Sequence, residues 1–192
     1  MNPTPPIQLA ADLDTWLFRG VNVGLSNPFL DKIMPWITEK HHFIVPLVIL
    51  ILGLWWWGGQ QGRQAILLGV ILVLLTDQTG NLLKFLVGRV RPCHVVPTAH
   101  LLVGCTGSGS FPSSHILNLF GQSTLIAARW RYVAIPAYII SLIVAFSRVY
   151  VGVHYPGDLI GGAGIGIVCG WLVARGALEV NRRWVKSTVR DP

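Results

Sequence analysis

Three polar stretches interrupt a chain that is otherwise rich in apolar residues. KFLVGRVRP runs from Lys84 to Pro92 and carries Lys84, Arg89 and Arg91. FPSSH carries Ser113, Ser114 and His115. SRVYVGVHYPGD runs from Ser147 to Asp158 and carries Arg148, His154 and Asp158. Lys84, Arg91 and Arg148 are suited to gripping an oxyanion, because Arg offers a planar fork to phosphate oxygens and Lys adds a point charge. Ser113 and the backbone N–H groups at a helix start would add donors, helped by the helix dipole. Pro112 suits a helix entrance, and Ser113 is expected to serve both as N-cap and as phosphate donor. His154 and Asp158 are four residues apart and flank Pro156-Gly157, so the carboxylate can reach one imidazole nitrogen. That partner fixes the tautomer and steadies the cation that forms when the other nitrogen attacks. His115, from a different helix, can protonate the leaving oxygen. The two imidazoles would start in opposite states, His154 neutral and His115 charged. No metal and no cofactor is expected, since the cations already neutralise a phosphoryl group.

The order and spacing carry a family likeness. Lys84, six residues, then Arg91-Pro92; Pro112-Ser113-x-His115; Ser147-Arg148, five residues, His154, three residues, Asp158. This resembles the three-part signature of the type 2 phosphatidic acid phosphatase superfamily, which includes bacterial lipid phosphatases, glucose-6-phosphatase and vanadium haloperoxidases. The resemblance covers Lys84 to Asp158. It implies a membrane bundle of six or nearly six helices, a phosphohistidine at His154, an acid at His115 and support of His154 by Asp158. It also implies phosphate binding by Lys84, Arg91, Ser113 and Arg148. Ser114 departs from the pattern, where the family usually has Gly. Its backbone N–H is retained, so a phosphate contact can persist, while the side chain can narrow the pocket.

The elements that must position these groups follow from the hydropathy pattern. Of 192 residues, 52% are hydrophobic and 12% charged, against about a quarter charged in a soluble domain, so an integral membrane protein of one domain is expected. The fold class expected is all-α, a polytopic bundle with five to six transmembrane helices. The spans are read as His42–Trp57, Ala65–Val87, Ser113–Arg129, Tyr132–Tyr150 and Leu159–Leu178, the third being short for a bilayer. The Trp55-Trp56-Trp57 triplet suits headgroup level. Residues 1–41 form an N-terminal segment, frayed over Met1–Pro6. In it Leu9, Leu13, Trp16 and Leu17 recur at helical spacing, as in an amphipathic helix lying on the membrane, or a sixth span if Leu9–Leu25 inserts. Asn27–Glu39 reads as a second interfacial piece. No cleaved leader is expected, because the first 24 residues lack a basic start and an apolar run.

Five spans put all three motifs on one face. Arg63, Arg129, Arg131, Arg175, Arg182, Arg183, Lys186 and Arg190 lie on the other, with residues 179–192 as a basic tail. The positive-inside rule then places the tail in the cytoplasm and the site at the periplasmic side of a bacterial inner membrane. The net charge of +7 is thus read as membrane-directed, with no nucleic-acid partner. Cys93 and Cys105 share the outward loop and either pair as a disulfide, worth about 3 kcal/mol at that loop length, or remain free thiols. Cys169 reads as a small core residue.

Other polar residues have plainer readings. Arg89 is either a snorkelling anchor or a headgroup contact. Asp77 lies seven residues before Lys84 on the same helical face, as an interhelical hydrogen-bond partner or outer support of the site. His41 and His42 suit an interface, and His94 and His100 a loop. Gly161, Gly162, Gly164 and Gly166 suit close helix packing.

The function expected is a metal-independent lipid phosphatase acting on a membrane lipid phosphate in the bilayer. Undecaprenyl pyrophosphate and lipid A are favoured over phosphatidic acid and phosphatidylglycerol phosphate. A glucose-6-phosphatase-like enzyme, a haloperoxidase and a non-catalytic lipid-phosphate binding or transport protein are the rivals.

Overall fold

The computed structural model describes residues 6–190, and the side chains of residues 8–181. The expected frayed end, Met1–Pro6, lies outside the described residues except for Pro6, which opens the first helix, and the basic side chains of Arg182, Arg183, Lys186 and Arg190 also lie outside them. The described chain is helical, without a strand. Its helices are α1 (Pro6–Asn22), α2 (Pro28–Thr38), α3 (Ile44–Trp56), α4 (Gly59–Val87), α5 (Pro92–Val95), α6 (Ser114–Arg129), α7 (Arg131–Tyr150) and α8 (Pro156–Arg190). A 3₁₀ turn, Lys40–Phe43, joins α2 to α3.

Length and burial sort these helices. The segment Gly59–Val95, α7 and the Pro156–Asn181 part of α8 are each long and apolar enough to cross a membrane. The α2 helix and the Lys40–Trp56 segment form a fourth candidate only as a pair bent by 60°. Three or four candidate spans among the described residues thus meet the length and composition needed, against the five or six expected. The physical reason differs between the two helices that fall short. The α3 helix has only 13 residues, with no buried residue on any side, as suits a helix surrounded by apolar solvent. The α6 helix has 16 residues, about 24 Å at 1.5 Å per residue, and carries polar side chains at Ser114, His115, Asn118, Gln122 and Ser123. It is wrapped by α4, α7 and α8, and protein rather than lipid satisfies three of those groups: Asn118 donates to Asp77, Gln122 to Gly69 O, and Ser123 pairs with Ser141.

Close approach of α6 and α8 comes from small residues. Gly162, Gly166 and Gly170 of α8 recur every fourth position and face the α6 backbone. A Cβ on Gly162 would lie 3.0 Å from the Ser113 carbonyl, and one on Gly166 would meet Leu117 O and sit 3.0 Å from Gly121 N. Of the four glycines picked from sequence, Gly161 meets the Phe111 ring of the loop instead, and Gly164 has open space around it. Gly164 lies on the opposite side of the helix from Gly162 and Gly166.

The site end of the bundle is tied by long-range hydrogen bonds. Asn22, wholly buried at the end of α1, accepts from His100 N at 2.7 Å and donates to the carbonyls of His100 (2.8 Å) and Tyr150 (2.7 Å). One amide thereby joins α1, the 96–113 loop and the end of α7. The Tyr150 hydroxyl donates to Asp31 at 2.7 Å and binds α2 to the same end. On α1, Phe18 is buried while Leu9, Leu13 and Trp16 are exposed, so the amphipathic pattern has an inner and an outer face.

Candidate active site

The long α4 helix ends where Gly88 turns to φ 59°, a left-handed conformation that favours glycine, and its N–H caps Lys84 O at 3.1 Å. The chain then delivers Arg89 and Arg91 beside the start of α6. Lys84, Arg91, Ser114, His115, Arg148 and His154 line one cavity of about 250 Å³. Asn81, Gly104, Thr106 and Ser108 complete its wall. No carboxylate is among these lining residues, so three cations face a common space without a counter-ion.

Arg91 is the most constrained of them. It is buried, and its Nε donates to Ser108 O at 3.0 Å and one Nη to Val153 O at 3.1 Å. The other Nη donates to Ser108 Oγ at 3.2 Å and Gly109 O at 3.4 Å. Its remaining contact decides the chemistry: Nη1 is 3.1 Å from His154 Nε2. A guanidinium only donates, so Nε2 must present its lone pair. The ring proton is then on Nδ1, which faces Asp158 Oδ2 at 3.4 Å. Burial above all pushes the His154 imidazole down to about 3, with Arg148 and Arg91 adding repulsion and the Asp158 hydrogen bond pulling the other way. A neutral ring with its lone pair toward the cavity is the form a nucleophile needs. At rest that lone pair is covered by Arg91, so an anion that draws the guanidinium to itself uncovers it.

Asp158 is fully buried and fully engaged. Its Oδ2 accepts from the Tyr155 N–H at 2.9 Å and from the Ser110 hydroxyl, and its Oδ1 from Arg89 at 2.8 Å. Its backbone carbonyl accepts from Ser113 N at 3.1 Å, which fixes the start of α6 against the start of α8. Lys84 Nζ donates to Pro112 O. Arg148 donates to Thr38 at 2.8 Å, leaving its buried Nε without a partner. His115 makes no hydrogen bond among the described residues.

Ser113 stands apart. It occupies the N-cap position of α6, but its hydroxyl caps nothing; it is buried without a partner and does not line the cavity. The expected cap is therefore absent. Ser113 lies in the tight α6–α8 seam, with Gly162 against its carbonyl and its N–H committed to Asp158. Ser114 does reach the cavity and packs over Gly80. Asp77 lies outside the cavity wall, where its Oδ1 accepts from Asn118 Nδ2 at 2.8 Å across α4 and α6. Arg89 turns inward to bridge Asp158 and Asp14, the latter at 2.6 Å, rather than reaching out to an anchor position. Cys93 and Cys105 are joined as a disulfide, with Cα atoms 6.4 Å apart, and His94 packs on Cys105. His41 and His42 bond Glu39 and the Trp36 carbonyl in the turn before α3.

Sequence reasoning missed Asp14, Asn81, Thr106, Ser108 and Ser110. The last two sit in a Gly/Ser-rich loop with no pattern of its own. Asn81 had a signal, since it falls one turn before Lys84 on the same helical face. Asp14 reads in sequence as one more polar residue of an amphipathic helix.

Known proteins resemble this chain in sequence and fold. Residues 64–182 match the PAP2 superfamily. A lipid A 4'-phosphatase of Bacteroides thetaiotaomicron is 34% identical over 178 residues, covering 86% of this chain and 77% of that protein. The undecaprenyl-diphosphatase BcrC of Bacillus subtilis is 34% identical over 180 residues, covering 91% of this chain and 89% of that protein. Among solved structures, a transmembrane PAP2-type phosphatidylglycerolphosphate phosphatase from Bacillus subtilis superposes with a TM-score of 0.70 at 25% identity, covering 93% of this chain and 89% of that one.

Proposed function

The chain belongs to the PAP2 superfamily and is a membrane lipid phosphatase, and from that premise we propose that it removes a phosphate from a lipid headgroup through a phosphohistidine on His154. The observation that carries this reading is the 3.1 Å contact of Arg91 with His154 Nε2 at a cavity shared by Lys84, Arg148 and His115. Phosphate oxygens draw Lys84, Arg91 and Arg148 onto themselves, with Ser114 at the helix start as a further donor. His154 Nε2, uncovered by Arg91, attacks phosphorus, and the bond from phosphorus to the lipid oxygen breaks. His115 gives that oxygen its proton, and the bound phosphate supplies the anion that a protonated His115 pairs with. Asp158 holds the Nδ1 proton and the positive charge of the phosphorylated ring. Water, deprotonated by His115, then attacks phosphorus; the phosphorus–nitrogen bond breaks and releases inorganic phosphate and neutral His154.

The whole of residues 1–192 acts as one membrane-embedded domain. In it α1 lies at the interface, the Lys40–Trp56 segment, α4, α6, α7 and α8 cross, and residues 179–192 form a cytoplasmic tail. The site then opens at the periplasmic headgroup level of a bacterial inner membrane. Undecaprenyl pyrophosphate and lipid A are the leading substrates, both being lipids with outward phosphate, and the names of the two relatives support them.

The test is phosphate release by purified protein across undecaprenyl pyrophosphate, lipid A, phosphatidic acid, phosphatidylglycerol phosphate and glucose 6-phosphate. The expected result is turnover of at least one of the lipids in the presence of a chelator, and none with His154→Asn. Turnover by His154→Asn, or a rate that needs added metal, overturns the mechanism. Release from glucose 6-phosphate alone overturns the lipid reading.

A further inference from the structure

The phosphatase reading leaves one partly buried acid without a task. Asp14, on α1, is 12% exposed and faces the site rather than the bilayer. Its Oδ2 accepts from Arg89 at 2.6 Å, and the other Nη of Arg89 donates to Asp158 Oδ1 at 2.8 Å. Its Oδ1 accepts from the Gly157 N–H at 2.7 Å. Gly157 belongs to the turn that sets the spacing of His154 from Asp158. The contact is close: a Cβ on Gly157 would lie 2.7 Å from Asp14 Oδ2. The Arg89 guanidinium also lies over the Tyr155 ring, 4.2 Å from its centroid, so it is held on a third side.

We infer that Asp14 is a positioning residue for the reaction: resting on the phosphatase reading, it holds the His154–Asp158 pair in register through Arg89 and Gly157. Two physical effects combine. The hydrogen bond to Gly157 fixes the backbone between nucleophile and carboxylate. The ion pair shares the charge of Arg89 between two acids, so Asp158 keeps more of its own charge to hold the His154 ring when it becomes positive. Asp14 touches neither the cavity nor its three cations, so substrate binding is not its task. The helix that carries it exposes Leu9, Leu13 and Trp16 on another side, which makes α1 the element that joins an apolar surface to the nucleophile's support.

The experiment uses the full chain in detergent with the lipid that the unaltered protein turns over. It compares Asp14→Asn, Asp14→Glu, Arg89→Gln and the Asp14→Asn/Arg89→Gln double variant. The readouts are kcat, KM, inhibition by inorganic phosphate and thermal midpoint. Outer partners that orient a functional histidine are worth about 10–100-fold. Asp14→Asn is expected to lower kcat by about that factor, with KM and phosphate inhibition within about twofold of the original. Asp14→Glu should recover part of the loss, and the double variant should lose less than the product of the two single losses. Three results overturn the inference: kcat per folded molecule within about twofold of the original in Asp14→Asn, phosphate inhibition lost in parallel with kcat, or multiplicative losses in the double variant. Each of these leaves the phosphatase reading intact. Full activity of His154→Asn would instead remove that reading and this inference with it.

Discussion

A histidine buried between cations is an unusual place for a proton, and His154 shows what that does. Its folded form holds the imidazole down at about 3, against an ordinary value of 6.5, mainly because burial penalises the charged ring. Between those two values the unfolded chain binds a proton that the folded chain refuses. The stability contributed by neutral His154 is therefore complete above pH 6.5 and is lost as pH falls toward 3, with a slope of at most about 1.4 kcal/mol per pH unit. The thermal midpoint in detergent should fall between pH 7 and pH 4.5, and His154→Asn should flatten part of that fall. Parallel curves for the two proteins would show that His154 is not kept neutral by the fold. At this scale the sequence was most legible where partners are close along the chain. His154 and Asp158 are one turn apart, so their pairing could be read directly. Ser110 and Arg89 meet Asp158 from 48 and 69 residues away, Asp14 meets Gly157 from 143, and no local pattern announces such contacts. Ser113 shows the opposite error: its type and position suit a cap, yet the tight seam around it leaves the hydroxyl unpaired.

Helix α6 is the element on which the site depends most, because Ser114 and His115 open it and α4, α7 and α8 surround it. Its distance from α8 is set by glycine. At Gly166 an added Cβ would meet the Leu117 carbonyl and lie 3.0 Å from Gly121 N, both backbone atoms that cannot swing aside. Gly166→Ala must push α6 outward, and overpacking of this kind costs about 1–3 kcal/mol. Thermal unfolding in detergent should show that loss, while Gly164→Ala, which meets open space, should leave the midpoint unchanged or raised. Equal behaviour of the two variants would mean the seam is not close-packed. The run of glycines marked this helix as a packing surface in sequence. Which of them face α6 depends on rotation about the helix axis, and Gly170 was overlooked although it extends the same four-residue spacing. The short length of α6 was also legible, but not its consequence: enclosed by three helices, it need not look like a lipid-facing span.

Across the whole molecule, two interhelical ties mark opposite rims. At one end of the α4–α6 pair, Arg129 donates to Gln64 at 2.6 Å; at the other, Lys84 donates to Pro112 O. Gln64 and Lys84 are twenty residues apart on one helix, about 30 Å, which is the thickness of a bilayer's hydrocarbon core. The cavity and all three motifs lie at the Lys84 rim, with Arg63, Arg129 and Arg131 gathered at the other. By the positive-inside rule the second rim should face the cytoplasm and the disulfide loop beside the cavity should face outward. The prediction can be read with a membrane-impermeant maleimide, because the third cysteine, Cys169, is buried in the bundle. After reduction, Cys93 and Cys105 should react in right-side-out membrane preparations. In a variant with Cys93 and Cys105 changed to Ser, a cysteine placed by Gln60→Cys at the opposite rim should react only in inverted vesicles. The reverse pattern would turn the molecule over. The cavity would then face the cytoplasmic leaflet, and a lipid phosphate exposed outside the cell membrane would lie beyond its reach.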